Sequence, residues 1–208
     1  SVNINRGRIN GGFVGSSWGR IFRCFSSGNV KGDIRNGGFV GRSYNGNISD
    51  CYSTGDVSGE ISGGFAGDLD FGDIYNCYST GKVVSNDPGG FIQEIYRGNV
   101  INCFWDKTTS RVSESAGGTG LTYNEMKRRS NFENAGWDMN ETWLIDDLKS
   151  YPFLRTFFKP PKLSIEDNVI ALEDESLYVE IQAEIFQPPS GYNEVSWDIR
   201  TNATWLDD

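Results

Sequence analysis

The sequence predicts an all-β chain: a parallel β-solenoid of about 26 residues per coil, a C-terminal cap containing one short helix, and then a partial β-sandwich. Three observations carry that expectation. GGF words have their second glycine at Gly12, Gly38, Gly64 and Gly90, each step 26, and cysteines follow at Cys24, Cys51, Cys77 and Cys103. Glycine makes up 26 of the 208 residues, 21 of them before Cys103, against a usual share of about 7%. Charge divides the chain in one place: residues 1–159 balance 17 basic against 17 acidic side chains, while residues 160–208 hold the whole net charge of −9.

Residues 1–104 read as the coils. Three residues before each cysteine stands Ile21, Ile48, Ile74 or Val100, and directly after it Phe25, Tyr52, Tyr78 or Phe104; Val30, Val57 and Val83 then follow. A unit of short β-prone words separated by glycine buries little alone, but stacked copies share a continuous core. Strands of adjacent coils lie about 4.8 Å apart, so like residues fall over like: Phe13, Phe39, Phe65 and Phe91 in one column, Ile21, Ile48, Ile74 and Val100 in another. Helical periodicity is absent from this segment. Cysteines one coil apart, in a chain without histidine, do not match zinc-ligand spacing. Parallel side chains in register strain a disulfide torsion. A ladder of reduced, buried thiols is expected, with the following aromatic facing outward.

Residues 105–159 read as the cap that an open solenoid end requires. Thr122 and Glu125 form a capping box with Leu121 and Met126 as its staple, so a short helix should start near Tyr123 and stop before Asn131. Lys127–Ser130 then places positive charge at the helix end, where it complements the dipole. Trp105, Phe132, Trp137, Trp143, Tyr151 and Leu154 are the apolar mass expected to plug the last coil.

Residues 160–208 open on the stiff Pro160-Pro161 pair. Leu177, Val179, Ile181, Ala183 and Ile185 then alternate with polar residues as in a half-buried antiparallel strand, and Val195, Trp197 and Ile199 repeat the pattern after a turn at Pro188–Gly191. About 47 residues are fewer than a complete sandwich needs. Both ends of the chain fall inside structural elements, so it reads as a piece of a longer protein.

The words GGFVG, a short loop, then GxIxxCYSTGxVxG resemble the GLUG motif, a repeat of bacterial surface proteins such as streptococcal IgA-specific metalloendopeptidases and filamentous adhesins. The FWD, GGTGLT, GWD and YPFL words of the following segment resemble the tail that often closes such arrays. LSIEDNVIAL and VSWDIRTNATWL resemble the start of a BACON or immunoglobulin-like sandwich. The resemblance implies a non-catalytic, extracellular interaction or adhesion module of a bacterial surface protein, on the cell surface or secreted, with a host or bacterial surface protein or a glycan as partner. A carbohydrate-binding accessory segment of a secreted glycan-degrading enzyme is the alternative, and a catalytic β-helix acting on polysaccharide the third.

Candidate sites are few. Without histidine, Ser-His, Cys-His and His-metal chemistry are excluded for these residues. Asp33 and Glu60 each lie three residues past the coil valine, near the roughly 5 Å spacing used by retaining glycosidases, with Asp87 as an extension; the competing reading is a solvated turn. Asp68, Asp70 and Asp73 offer oxygen ligands for Ca²⁺ without a complete calcium-loop spacing. Trp18, Tyr44, Phe71 and Tyr96 recur six or seven residues past the second glycine of each GGF word. They form either a strip on which sugar rings or apolar side chains lie, or a cover folded over a corner of the core. No cofactor is expected. The chain has no basic stripe for nucleic acid and no run long enough to span a membrane.

Overall fold

The computed structural model describes residues 4–5 and 8–157, and the sandwich expected over 160–208 lies outside the described residues. Its architecture is the expected all-β parallel solenoid. Each lap contributes to three parallel sheets. In the first, Val57–Gly63 lies between Val30–Lys31 and Arg35–Gly37 on one side and Val83–Gly89 on the other. In the second, Ala66–Tyr75 lies between Val40–Tyr44 and Ile48–Ser49 below and Ile92–Ile101 above. The third runs Phe25–Ser26, Tyr52–Ser53, Tyr78–Ser79, Phe104–Asp106 and Thr119–Leu121.

Columns form where the repeat places them. Phe13, Phe39, Phe65 and Phe91 stack with ring centroids 4.8, 4.9 and 4.8 Å apart. Ile21, Ile48, Ile74 and Val100 share one register. The cysteines are free; Cys51, Cys77 and Cys103 are buried and Cys24, on the first lap, is half-buried. Each thiol donates to the carbonyl two residues earlier, Cys51 to Ser49 at 3.0 Å and Cys77 to Tyr75 at 3.2 Å. Burial pushes the Cys77 thiol far above its ordinary range, so it is a small buried hydrophobe rather than a nucleophile.

The identical words have identical jobs. The serine after each outer aromatic, Ser26, Ser53 or Ser79, donates its hydroxyl to the carbonyl of Gly38, Gly64 or Gly90 at 2.5, 2.8 and 3.1 Å. This bond ties one side of a lap to the GGF corner. A Cβ on Gly38 would lie 2.2 Å from the Gly64 carbonyl oxygen, so only glycine lets successive corners stack. At a second corner the residue before each cysteine, Arg23, Asp50, Asn76 or Asn102, is left-handed, with φ of 52, 52, 53 and 52°. Asp and Asn tolerate that conformation well; Arg23 does so at some cost.

The tail departs from a simple end plug. Residues 105–121 do close the last lap: Trp105 lies over Gly90 and donates its Nε1 to the Val112 carbonyl at 3.1 Å, while the Ser115 hydroxyl oxygen accepts from the Phe91 and Ile92 amides. Residues 122–157 instead run back along the third sheet and cover its outer aromatics. Tyr52, Tyr78 and Phe104, expected to face solvent, are buried beneath Met126, Phe132, Trp137, Met139, Trp143 and Leu154. Those aromatics do point away from the coil core, and what hides them is a segment whose own apolar surface exceeds what one coil end absorbs. The tail reaches the first lap, where Phe157 packs edge-on to Phe25 at 5.1 Å and Arg23 donates to Thr142.

The tail helix also differs. The capping box forms, Glu125 accepting from the Thr122 amide at 2.8 Å, but the helix is a single 3-10 turn, Glu125–Lys127. Arg128 is extended, and an α-helix follows over Arg129–Asn134. The break has a cause: Leu148 N–H donates to the Lys127 carbonyl and Arg129 N–H to Asp147 Oδ1, each at 2.7 Å, clamping the junction from outside. A further short helix, Lys107–Ser110, is capped by Asp106.

Candidate functional site

The loop expected between the GGF and Cys words of the third lap is a strand, Ala66–Tyr75, and its fourth-lap partner is Ile92–Ile101. Extended backbone there turns the former loop residues into an outer sheet face. Register decides which of them meet. Ser17, Ser43, Leu69 and Ile95 share one row, so the next row begins with Trp18 and Tyr44 but continues with Asp70 and Arg97. Phe71 and Tyr96 are each displaced by one residue at the bulge between those two strands, where Phe71 takes φ 71°.

The four aromatics therefore do not form one continuous stack, and none of them folds over the core. Trp18 and Tyr44 stack at 4.3 Å, and Trp18 remains 71% exposed. Arginines interleave with the others, a feature that phase counting missed. Arg42 lies 4.2 Å over the Tyr44 ring and Arg97 3.5 Å over Phe71. Tyr96 donates to Glu94 at 2.5 Å and accepts from Arg35 at 3.3 Å. Each cation gains from the ring face it covers.

Beneath these rings lies a buried ion cluster. Asp68 is fully buried between Arg35 Nε at 2.6 Å and Arg42 Nε at 3.1 Å. These contacts are ionic and not aligned as hydrogen bonds. Burial raises the Asp68 carboxyl to about 6, overcoming the opposite pull of the two guanidiniums. Asp70 pairs with Arg42 at 3.4 Å and Arg97 at 2.8 Å, and Asp73 accepts from the Asn99 amide and side chain. Of the three aspartates offered as Ca²⁺ ligands, Asp68 and Asp70 share Arg42 while Asp73 turns to Asn99, and among the described residues no group of three His, Cys, Asp or Glu side chains converges on a metal site. Arginines pair with two of the three carboxylates, Asp68 and Asp70.

Asp33 and Glu60 are exposed on adjacent laps, with Glu60 N–H donating to the Asp33 carbonyl. Asp87 stands in register with Ile61 and Arg35, so it does not extend that pair. Among the described residues no helix is long and apolar enough to cross a membrane.

Residues 35–58, one lap of the repeat, match the GLUG motif. No curated protein and no solved structure matches the chain significantly.

Proposed function

We propose that the chain is a non-catalytic interaction module, a repeat segment of a bacterial surface or secreted protein whose rigid laps display a binding face to the exterior. The observation that carries this reading is the outward Trp18–Tyr44 stack, 4.3 Å between centroids with Trp18 71% exposed. A solvent-facing indole held flat by its neighbour adds little to the core and offers a pre-ordered apolar platform to a partner. The GLUG match supports membership in a repeat array, and such arrays build extended binding surfaces from small units. The same platform favours a glycan over a protein partner at one point: a flat exposed ring is the surface on which the apolar face of a pyranose lies.

The test is retention of the chain on arrays of glycans and of immobilised surface proteins, with Trp18→Ala/Tyr44→Ala beside it. The expected result is lost retention with a melting temperature unchanged to within about 2 °C, less than about 0.5 kcal/mol. A fall of 10 °C or more would assign the pair to the fold and remove the proposal.

A further inference from the structure

The outer column two residues before each cysteine has a missing rung. Phe22, Ser49 and Tyr75 share one register on three successive laps, so two aromatics flank a serine. The Phe13–Phe39–Phe65–Phe91 and Phe25–Tyr52–Tyr78 columns fill the equivalent space with a third ring. Here a cavity of about 300 Å³ opens instead, bounded by Phe22, Ser49 and Tyr75 and by Arg20, Arg23, Asn47 and Asp50. Phe22 is 64% exposed, and the Ser49 side chain is buried as the floor.

We propose that this slot binds one ring of a carboxylated pyranose, a uronic-acid residue of an acidic polysaccharide. Two rungs of about 4.8 Å place Phe22 and Tyr75 roughly 10 Å apart. A flat ring midway between them sits about 4.8 Å from each, inside the stacking range of about 4.5 to 7 Å. The rim selects a hydroxylated ring over a plain aromatic one. Ser49, Asn47 and Asp50 present hydroxyl, amide and carboxylate groups there, and an apolar guest would strip these of water without replacing their hydrogen bonds.

Charge selects the acid. Arg20 and Arg23 face the cavity against the single carboxylate of Asp50, and a guanidinium recognises a carboxylate bidentately. The walls are already fixed. Arg23 Nη2 donates to Thr142 at 3.1 Å, Asp50 Oδ1 accepts from Trp143 Nε1 at 3.3 Å, and Asn47 Oδ1 accepts from the Asp73 amide at 3.1 Å. The slot stands on a different column from Trp18 and Tyr44, so it does not depend on that pair binding anything.

The experiment is calorimetric titration of the 208-residue chain with oligomers of galacturonate, alginate and hyaluronan and with uncharged galactose and glucose oligomers. Saturable binding of at least one acidic oligomer, with the neutral ones at least tenfold weaker, is expected. Ser49→Phe fills the missing rung and should weaken binding tenfold or more while the melting temperature holds or rises. Phe22→Ala, at an exposed position where folding is not at stake, should weaken it similarly, and Arg20→Gln should erase the preference for acid. Absence of binding by every acidic oligomer at millimolar concentration, equal binding of neutral ones, or full binding by Ser49→Phe each overturns the slot. Binding that survives Ser49→Phe but is lost in Trp18→Ala places the sugar on the Trp18–Tyr44 platform, whereas the reverse pattern keeps the slot and removes the platform.

Discussion

Two aromatic columns in this molecule are built alike and hidden differently. Phe39, Phe65 and Phe91 stack at 4.8 to 4.9 Å inside the laps, and Phe25, Tyr52 and Tyr78 stack at 5.0 to 5.1 Å outside them. The inner column is sealed by the coils that carry it. The outer one is sealed by residues 122–157, remote in sequence, with Tyr78 donating its hydroxyl to the Pro152 carbonyl at 2.5 Å and Trp143 lying 6.0 to 6.1 Å from both tyrosines. Repetition thus supplies several equivalent surfaces, and the non-repeating tail chooses which becomes core. Columns whose rings the tail does not cover, Trp18 with Tyr44 and Phe22 with Tyr75, keep exposed surface.

The contrast can be broken most forcefully by removing one ring from each column's seal. Phe65→Ala and Trp143→Ala should each cost about 3 to 5 kcal/mol, since both side chains are fully buried. Their unfolding should differ in kind. Phe65→Ala is expected to lower a single cooperative transition followed by far-UV circular dichroism. Trp143→Ala should release the tail first, read as binding of an apolar dye before the sheet signal is lost. Identical behaviour of the two variants would mean that tail and laps form one cooperative core.

A smaller effect sharpens the comparison by adding a third environment, the ion cluster on the second sheet. The folded pKa of Asp68, about 6, lies above its ordinary 3.8, so between those values the folded chain holds more protons than the unfolded one. Its contribution is therefore full below pH 3.8 and lost as pH rises through 6. Relative to Asp68→Asn, the wild-type chain should lose about 1 to 3 kcal/mol between pH 4 and pH 7. Denaturant melts of both proteins at four pH values check this, and parallel curves would show that the arginines hold the carboxylate charged throughout.

The smallest effect tests the tie between inner and outer faces. Ser53→Ala removes the 2.8 Å bond to the Gly64 carbonyl and leaves that buried acceptor unpaired, for about 1 to 2 kcal/mol. Val substitution at Ser53 should cost more than Ala, because its added volume enters a corner where the Ser53 oxygen already lies 3.0 Å from a Cβ placed on Gly38. A melting temperature unchanged in Ser53→Ala would show the hydroxyl to be incidental.

Much of this architecture was readable along the chain. The 26-residue period gave the laps, the vertical pairing of Phe, Ile and Cys, and the free thiols, because a parallel lap restores each residue to the same place. The candidate site was legible only in part. Counting from the GGF glycine found Trp18 and Tyr44 together but misplaced Phe71 and Tyr96, since a one-residue bulge shifts which side chain a row presents. The slot had a visible signal that phase counting from a different landmark would have found: Phe22, Ser49, Tyr75 and Ile101 all stand two residues before a cysteine. Arg35, Arg42 and Arg97 carried no such mark, because their partners lie one lap away and chains of like spacing say nothing about charge pairing.

The sequence by itself determined the fold and the stacking, since both follow from repetition and from glycine where a Cβ would strike the next lap. Only the tertiary structure decided where the tail lies, that Asp68 is buried between Arg35 and Arg42, and which outer columns stay open. Those outcomes depend on contacts between segments that share no period, and a repeat constrains only what lies one lap above or below.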